Sequence, residues 1–217
     1  MKRSPQVAVL CLLTSAALAQ TGGSSASSLI WKPPRIRATH VVPKSTVRKS
    51  MVGTFQVSNM KIVLEETKMT DVQARFGGEI GAEGDAGDSL AWLCLRGRDE
   101  AGPWALWLES GEMDADSVGS FQWRRVAPDR KFDPRCQRLK DDDSRVRLPI
   151  SLRLGLSETD LLQTLGPPTI REGNTLLFEH DQDLVIHDEP YTEQNTVIVV
   201  MRNGAIWAIE VSKLTSS

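Results

Sequence analysis

Residues 155–179 read GLSETDLLQTLGPPTIREGNTLLFE, and the expected fold class is read from this stretch. Ser157 stands three residues before Asp160, so its hydroxyl is placed to accept a free backbone N–H while the acid sits at the positive end of a helix. Leu161, Leu162 and Leu165 give that helix one apolar face. Gly166 suits the left-handed close of a helix and Pro167-Pro168 cannot continue one, so a strand is predicted over residues 175–179.

Residues 67–78, TKMTDVQARFGG, carry the same pattern in degraded form. Thr67 supplies a capping hydroxyl, Asp71 an early acid, Val72 and Phe76 the apolar face and Gly77 the stop. The Gly stands six positions after the Asp in both copies. Strands are predicted after the first copy at 91–95, 105–109 and 118–124, with Ser110-Gly111 as a turn. After the second they fall at 175–179, 197–202 and 206–211. Asn203-Gly204 between two apolar runs signals a hairpin, because both central residues of its turn take positive φ. The expected fold class is α+β: two tandem repeats, each a short helix followed by a three-stranded antiparallel sheet, at residues 51–125 and 150–217. Residues 126–149 form a connector between them.

Ahead of the repeats, Lys2-Arg3, an apolar run over 7–13 and Ala17-Leu18-Ala19 read as a signal peptide over residues 1–19, cleaved after Ala19. The run is too short to span a bilayer, so no transmembrane segment is expected and the mature protein is placed in the periplasm or secreted. Residues 20–50 carry six cations and no acid, and are rich in Ser, Gly and Pro, which describes a basic flexible arm. Trp31 within it can dock on a partner or on the protein itself. Residues 51–217 then hold 18 cations against 28 acids, a net charge of −10 that favours a basic partner surface over nucleic acid.

Once Cys11 is removed with the signal peptide, Cys94 and Cys136 are the remaining cysteines, and in an oxidising compartment they are expected to pair. Trp92, Trp104, Trp107 and Trp123 fall in or beside the first set of strands, where half-buried strand positions favour a core role over a ligand platform. The Gly-rich acidic run at 79–88 lacks the phosphate-binding pattern. Lys140 and the three acids after it lack the alternate ligand spacing of a calcium loop. His180 and His187 stand seven residues apart among acids, a spacing that puts two imidazoles on one metal only if a hairpin folds between them. No nucleophile motif or unpaired thiol accompanies them. Neither a catalytic set nor a metal or cofactor site is therefore assigned.

The run from Gly155 through Asp160 and Leu165 to Gly166-Pro167-Pro168, followed by a strand and a strand, Asn-Gly, strand hairpin, resembles the small helix-plus-sheet domain of the outer-membrane assembly lipoproteins. It is also similar to the beta-lactamase inhibitory protein family, in which that unit occurs twice in tandem. In the first copy Glu66 stands in place of the opening glycine and Gly78 in place of the first proline, and the chain lacks a lipidation cysteine. The resemblance implies an exported, non-enzymatic protein-binding module, an inhibitor or modulator of an envelope or secreted protein. A structural adaptor in envelope assembly and, third, a hydrolase or metal enzyme around His180 and His187 are the competing readings. Trp107, Trp207 and Tyr191 are the candidate anchors for a protein partner, together with the acidic loops at 79–88 and 180–193, the second read as an exposed acidic hairpin around His180 and His187.

Overall fold

The computed structural model describes residues 29–36, 52–84, 89–111, 114, 116–140 and 145–217. The signal peptide assignment, His40 and most of the basic arm lie outside the described residues, as do residues 85–88 and 141–144 of the acidic runs. The elements follow in the order β1 (Thr54–Val57), β2 (Met60–Val63), α1 (Met69–Phe76), β3 (Ile80–Glu83), β4 (Leu90–Asp99), β5 (Gly102–Ser110) and β6 (Val118–Arg125). The second half contains β7 (Gln137–Arg138), β8 (Val146–Arg147), α2 (Glu158–Leu165), β9 (Ile170–Glu172), β10 (Thr175–Ile186), β11 (Glu189–Arg202) and β12 (Ala205–Ser216).

The expected α+β architecture, with a separate three-stranded sheet in each repeat, is overturned. The protein is mostly β, with only two eight-residue helices among the described residues. Strands from both halves join one nine-stranded sheet of order β3-β4-β5-β6-β12-β11-β10-β9, with β7 beside β4. A second sheet has the order β2-β1-β8. The physical reason lies in the strand edges. A separate sheet would leave the outer backbone groups of β6 and β12 open. Their antiparallel pairing, from Ala208 opposite Arg124 to Ser212 opposite Ser120, satisfies both edges at once.

The run at 180–193, expected as an exposed acidic hairpin or loop, is a hairpin of two long regular strands, and Ile80–Glu83 of the acidic run at 79–88 is strand as well. β10 and β11 stay in register from Thr175 opposite Val200 to Ile186 opposite Glu189. Only His187-Asp188 turns, both at positive φ (54° and 67°), the geometry that Asn203-Gly204 supplies at the next hairpin (53° and 75°). Ladder bonds are made by the backbone, so a polar composition does not forbid them.

α2 begins as its sequence predicts, with Asp160 N–H donating to the Ser157 hydroxyl at 3.2 Å and that hydroxyl donating to the Asp160 carboxylate at 2.7 Å. α1 does not. Its preceding residue, Lys68, makes no side-chain cap, and the Thr67 hydroxyl accepts from Val63 N–H at 2.8 Å in the turn before it. Both helices close on a glycine at positive φ, Gly77 at 80° and Gly166 at 82°. Each is tied to the last strand of its own half: Val118 N–H donates to Thr67 O at 2.9 Å, and Ile206 N–H to Leu156 O at 2.9 Å. The place of Gly155 (φ 85°) is taken in the first half by Glu65 (φ 67°), one residue before the Glu66 that sequence spacing aligns there. Its carboxylate accepts from Thr215 N–H and hydroxyl, both at 2.7 Å, which offsets the strain of a left-handed side-chain-bearing residue.

One face of the large sheet packs against α1, α2 and the small sheet. Leu93, Leu95, Trp104, Leu106, Phe121, Trp123, Phe178, Val197, Val199 and Ile209 meet Phe55, Ile62, Val72 and Leu161 in this core. Each such side chain contributes about 1.5–3 kcal/mol by leaving water. Asn195 is the fully buried polar group here. Its side-chain oxygen accepts from Val52 N–H at 2.9 Å, and its amide donates to Val52 O at 3.1 Å and Ser212 O at 2.9 Å, so β1 is anchored to the large sheet.

Candidate functional site

The second face of the sheet carries a smaller core of Trp31, Trp92, Cys94, Ala105, Trp107, Val126 and Cys136. Cys94 on β4 and Cys136 are disulfide-bonded with their α-carbons 4.6 Å apart, as the cysteine count predicts. The bond and the parallel pairing of β7 with β4 at Leu95 and Arg96 hold the connector against the sheet. The arm segment is stitched to that connector: Ile30 N–H donates to Lys131 O at 2.9 Å, and Asp133 N–H to Ile30 O at 3.0 Å. Trp31, left open by the sequence between partner and self, docks on the protein itself. Its carbonyl accepts from Trp107 Nε1–H at 2.9 Å, and its ring meets Trp92 edge-on at 5.9 Å. Gly81 permits this approach, because a β-carbon there would stand 2.5 Å from the Trp92 ring.

Arm and connector form the walls of a cleft of about 870 Å³ whose floor is the sheet. Arg124 of β6 lies on this floor between Ala105 of β5 and Ala208 of β12, two small neighbours that leave its guanidinium room. Trp207 is skipped in the register, where Val200 pairs Ala208 and Met201 pairs Ile206. This bulge places its ring on the cleft beside Arg202, whose guanidinium stands 4.7 Å from the ring centre. Lys32, Arg124, Arg125, Arg130, Arg135 and Arg202 line the cleft against Asp129 and Asp133 as its acids. The net −10 of the body therefore does not describe this surface, which is locally basic.

Most of these cations are engaged. Lys32 pairs with Glu83, and Arg125 with Asp99 and Gly102 O. Arg135 bonds both carboxylate oxygens of Asp133, at 2.9 and 3.0 Å, and lies over the Trp31 ring at 4.5 Å. Asp133 is accordingly held down to about 2, first by the Arg135 side chain and then by its backbone N–H. Arg124 differs, since among the described residues no acceptor meets its guanidinium. It is half-buried, and burial first and the positive charge of Arg130 second lower its pKa. A cation partly desolvated beside another cation is compensated only when an anion arrives.

Further along the same face, Glu109 of β5, Gln122 of β6 and Glu210 of β12 form a polar layer, with Gln122 opposite both Trp107 and Glu210. Glu109 is 9% exposed and Gln122 5%. Burial, and then the charge of Glu210, push the Glu109 carboxyl up to about 8 against a partial opposing bond from Gln122. Burial alone raises Glu210 to about 7.

The residues singled out from sequence separate in space. Trp107 is 2% exposed, lies under Trp31 and closes the second core, which fits the core role read from its strand position and leaves no exposed face for an anchor. Trp207 is half-buried on the cleft. Tyr191 stands opposite Leu184 near the tip of the β10–β11 hairpin, away from both tryptophans. His180 is buried in mid-strand opposite Asn195 while His187 sits in the turn, so β10 holds the two apart. Among the described residues no group of three metal-ligating side chains converges, and no helix is long and apolar enough to cross a membrane. Sequence reasoning missed Arg124, Arg130 and Arg202. The adjacent arginines after Trp123 are the signal that could have found the first. The sequence matches no family model, no curated protein and no solved structure.

Proposed function

We propose that this chain is an exported, non-enzymatic binding module that takes a secreted or envelope protein at the cleft of Arg124 and Trp207. The observation that carries this reading is the half-buried Arg124, with no acceptor among the described residues, on the floor of a tryptophan-lined cleft, a combination suited to binding. The Cys94–Cys136 bond supports the oxidising compartment implied by the Lys2-Arg3 and apolar start of the chain. The likeness of residues 155–168 to envelope-assembly lipoproteins and to beta-lactamase inhibitory proteins agrees with a role in holding another protein.

Affinity capture from the envelope and medium of the source cell, using the disulfide-bonded protein and its Trp207→Ala variant, tests the proposal. The expected result is a stoichiometric partner retained by the wild type and lost by the variant at unchanged melting temperature. Retention of the same partner by both proteins, or turnover of an envelope substrate with no partner, refutes it.

A further inference from the structure

Resting on that reading, we infer that the cleft recognises an acidic peptide segment, with a side-chain carboxylate of the partner bound by Arg124 and an apolar neighbour of that residue seated on Trp207. The charge balance favours an anion even after pairing: Lys32 is met by Glu83, Arg125 by Asp99 and Arg135 by Asp133, and Asp129 is the remaining lining acid, so six cations stand against four acids with Arg124 on the floor bonded to none of them. A guanidinium offers a planar fork of donors that a carboxylate fills with two parallel bonds. Ala105 and Ala208 on either side of Arg124 keep that fork open from both flanks.

The shape decides between anion carriers. Arg124 lies on the floor, below walls built from residues 29–34 and 125–135, so a side chain on an extended peptide reaches it. A planar lipid headgroup layer or a duplex backbone meets the walls first. Asp129 and Asp133 on those walls further penalise a polyanion. Beside the fork, the Trp207 ring is fixed by the bulge of β12 and covered on one side by Arg202, which leaves an amphipathic surface for an apolar residue next to the acid. A volume of about 870 Å³ falls within the range of sites that enclose a small ligand or a few residues of peptide.

The test uses the full mature chain with its disulfide intact and a displayed library of random twelve-residue peptides as probe. Selected peptides are expected to carry Asp or Glu next to an apolar residue. Their affinity is expected to fall about tenfold or more when that acid becomes Asn or Gln, or when Arg124→Gln is introduced. Arg124→Lys, which keeps the charge and loses the fork, is expected to fall between the two. In the wild type the Arg124 Nε–Hε resonance is expected to shift on titration with a selected peptide, a readout that needs no variant to fold. Selected sequences without an acid, peptides that bind Arg124→Gln equally, or an unmoved Arg124 resonance overturn the inference. So does preferential binding of anionic phospholipid vesicles or of oligothymidylate over every peptide. Binding of a second copy of this chain through the same resonance would replace the foreign segment by one of its own acidic runs and overturn the assignment of a separate partner. A partner captured from the envelope that binds Arg124→Gln and wild type alike sinks the carboxylate while leaving the binding module standing.

Discussion

Glu109→Gln should abolish a large part of the loss of stability at alkaline pH. Glu109 of β5 faces Trp92 of β4, Ser120 and Gln122 of β6 and, one strand further, Glu210 of β12, with no cation among these neighbours. Its folded-state value of about 8 stands above the ordinary 4.5. Between those limits the folded protein keeps a proton that the unfolded chain has released. The stabilisation is therefore complete below about pH 4.5 and is lost as pH rises through 8, at about 1.4 kcal/mol per pH unit. Over the whole interval this amounts to about 3–5 kcal/mol, allowing for relaxation around the new charge. A glutamine matches the neutral acid in shape and cannot ionise, so the variant should melt within a degree or two of wild type at pH 5. At pH 9 it should melt higher by on the order of 10 °C. Circular dichroism melts of both proteins from pH 5 to 9 measure the difference, in which the titrating groups other than the coupled Glu210 cancel. A gap of the same size at both ends of the range would refute the assignment of a buried, protonated Glu109.

Glu210→Gln should act in the same direction but with a smaller gap that is complete near pH 7, since its carboxyl is raised only to about 7 from the same ordinary 4.5, and the same melts compare the two. Replacing both Cys94 and Cys136 by Ala removes a cross-link spanning 42 residues and should cost about 4 kcal/mol in the chain-entropy account, measurable by urea unfolding. Asn195→Ala strands the Val52 N–H and carbonyl in the core and should cost about 2–4 kcal/mol in the same assay, whereas a loss below 0.5 kcal/mol would mean those groups find other partners. Trp107→Ala should lower the melting temperature by opening the second core, while Trp207→Ala should leave it nearly unchanged and weaken partner capture. Ser157→Ala should cost about 1 kcal/mol, and Thr67→Ala should leave α1 without a lost cap.

What the sequence determined alone is local. The capping hydroxyl of Ser157, the glycine closes of α1 and α2 and the Asn203-Gly204 turn depend on backbone dihedrals and bonds within a few residues, so their chemistry is written in order along the chain. The Cys94–Cys136 bond was legible for a different reason, because the signal peptide expected over residues 1–19 contains Cys11 and its removal would leave two thiols to pair. Tertiary structure decided the rest. Whether β6 and β12 close two sheets into one depends on edges brought together from residues about ninety apart, and no local pattern encodes that choice. The acidic run in β10 and β11 looked like loop because composition reports solvation, whereas a ladder is satisfied by backbone groups under any side chain. Trp107 and Trp207 are alike in sequence, and only the docking of Trp31 on one and the bulge beneath the other made one core and one cleft. Arg124 is one of 26 cations until the fold sets it between two alanines, beside Arg130 and out of reach of every described acceptor. Lack of a partner is a property of three-dimensional surroundings, which is why the site was not readable from the order of residues.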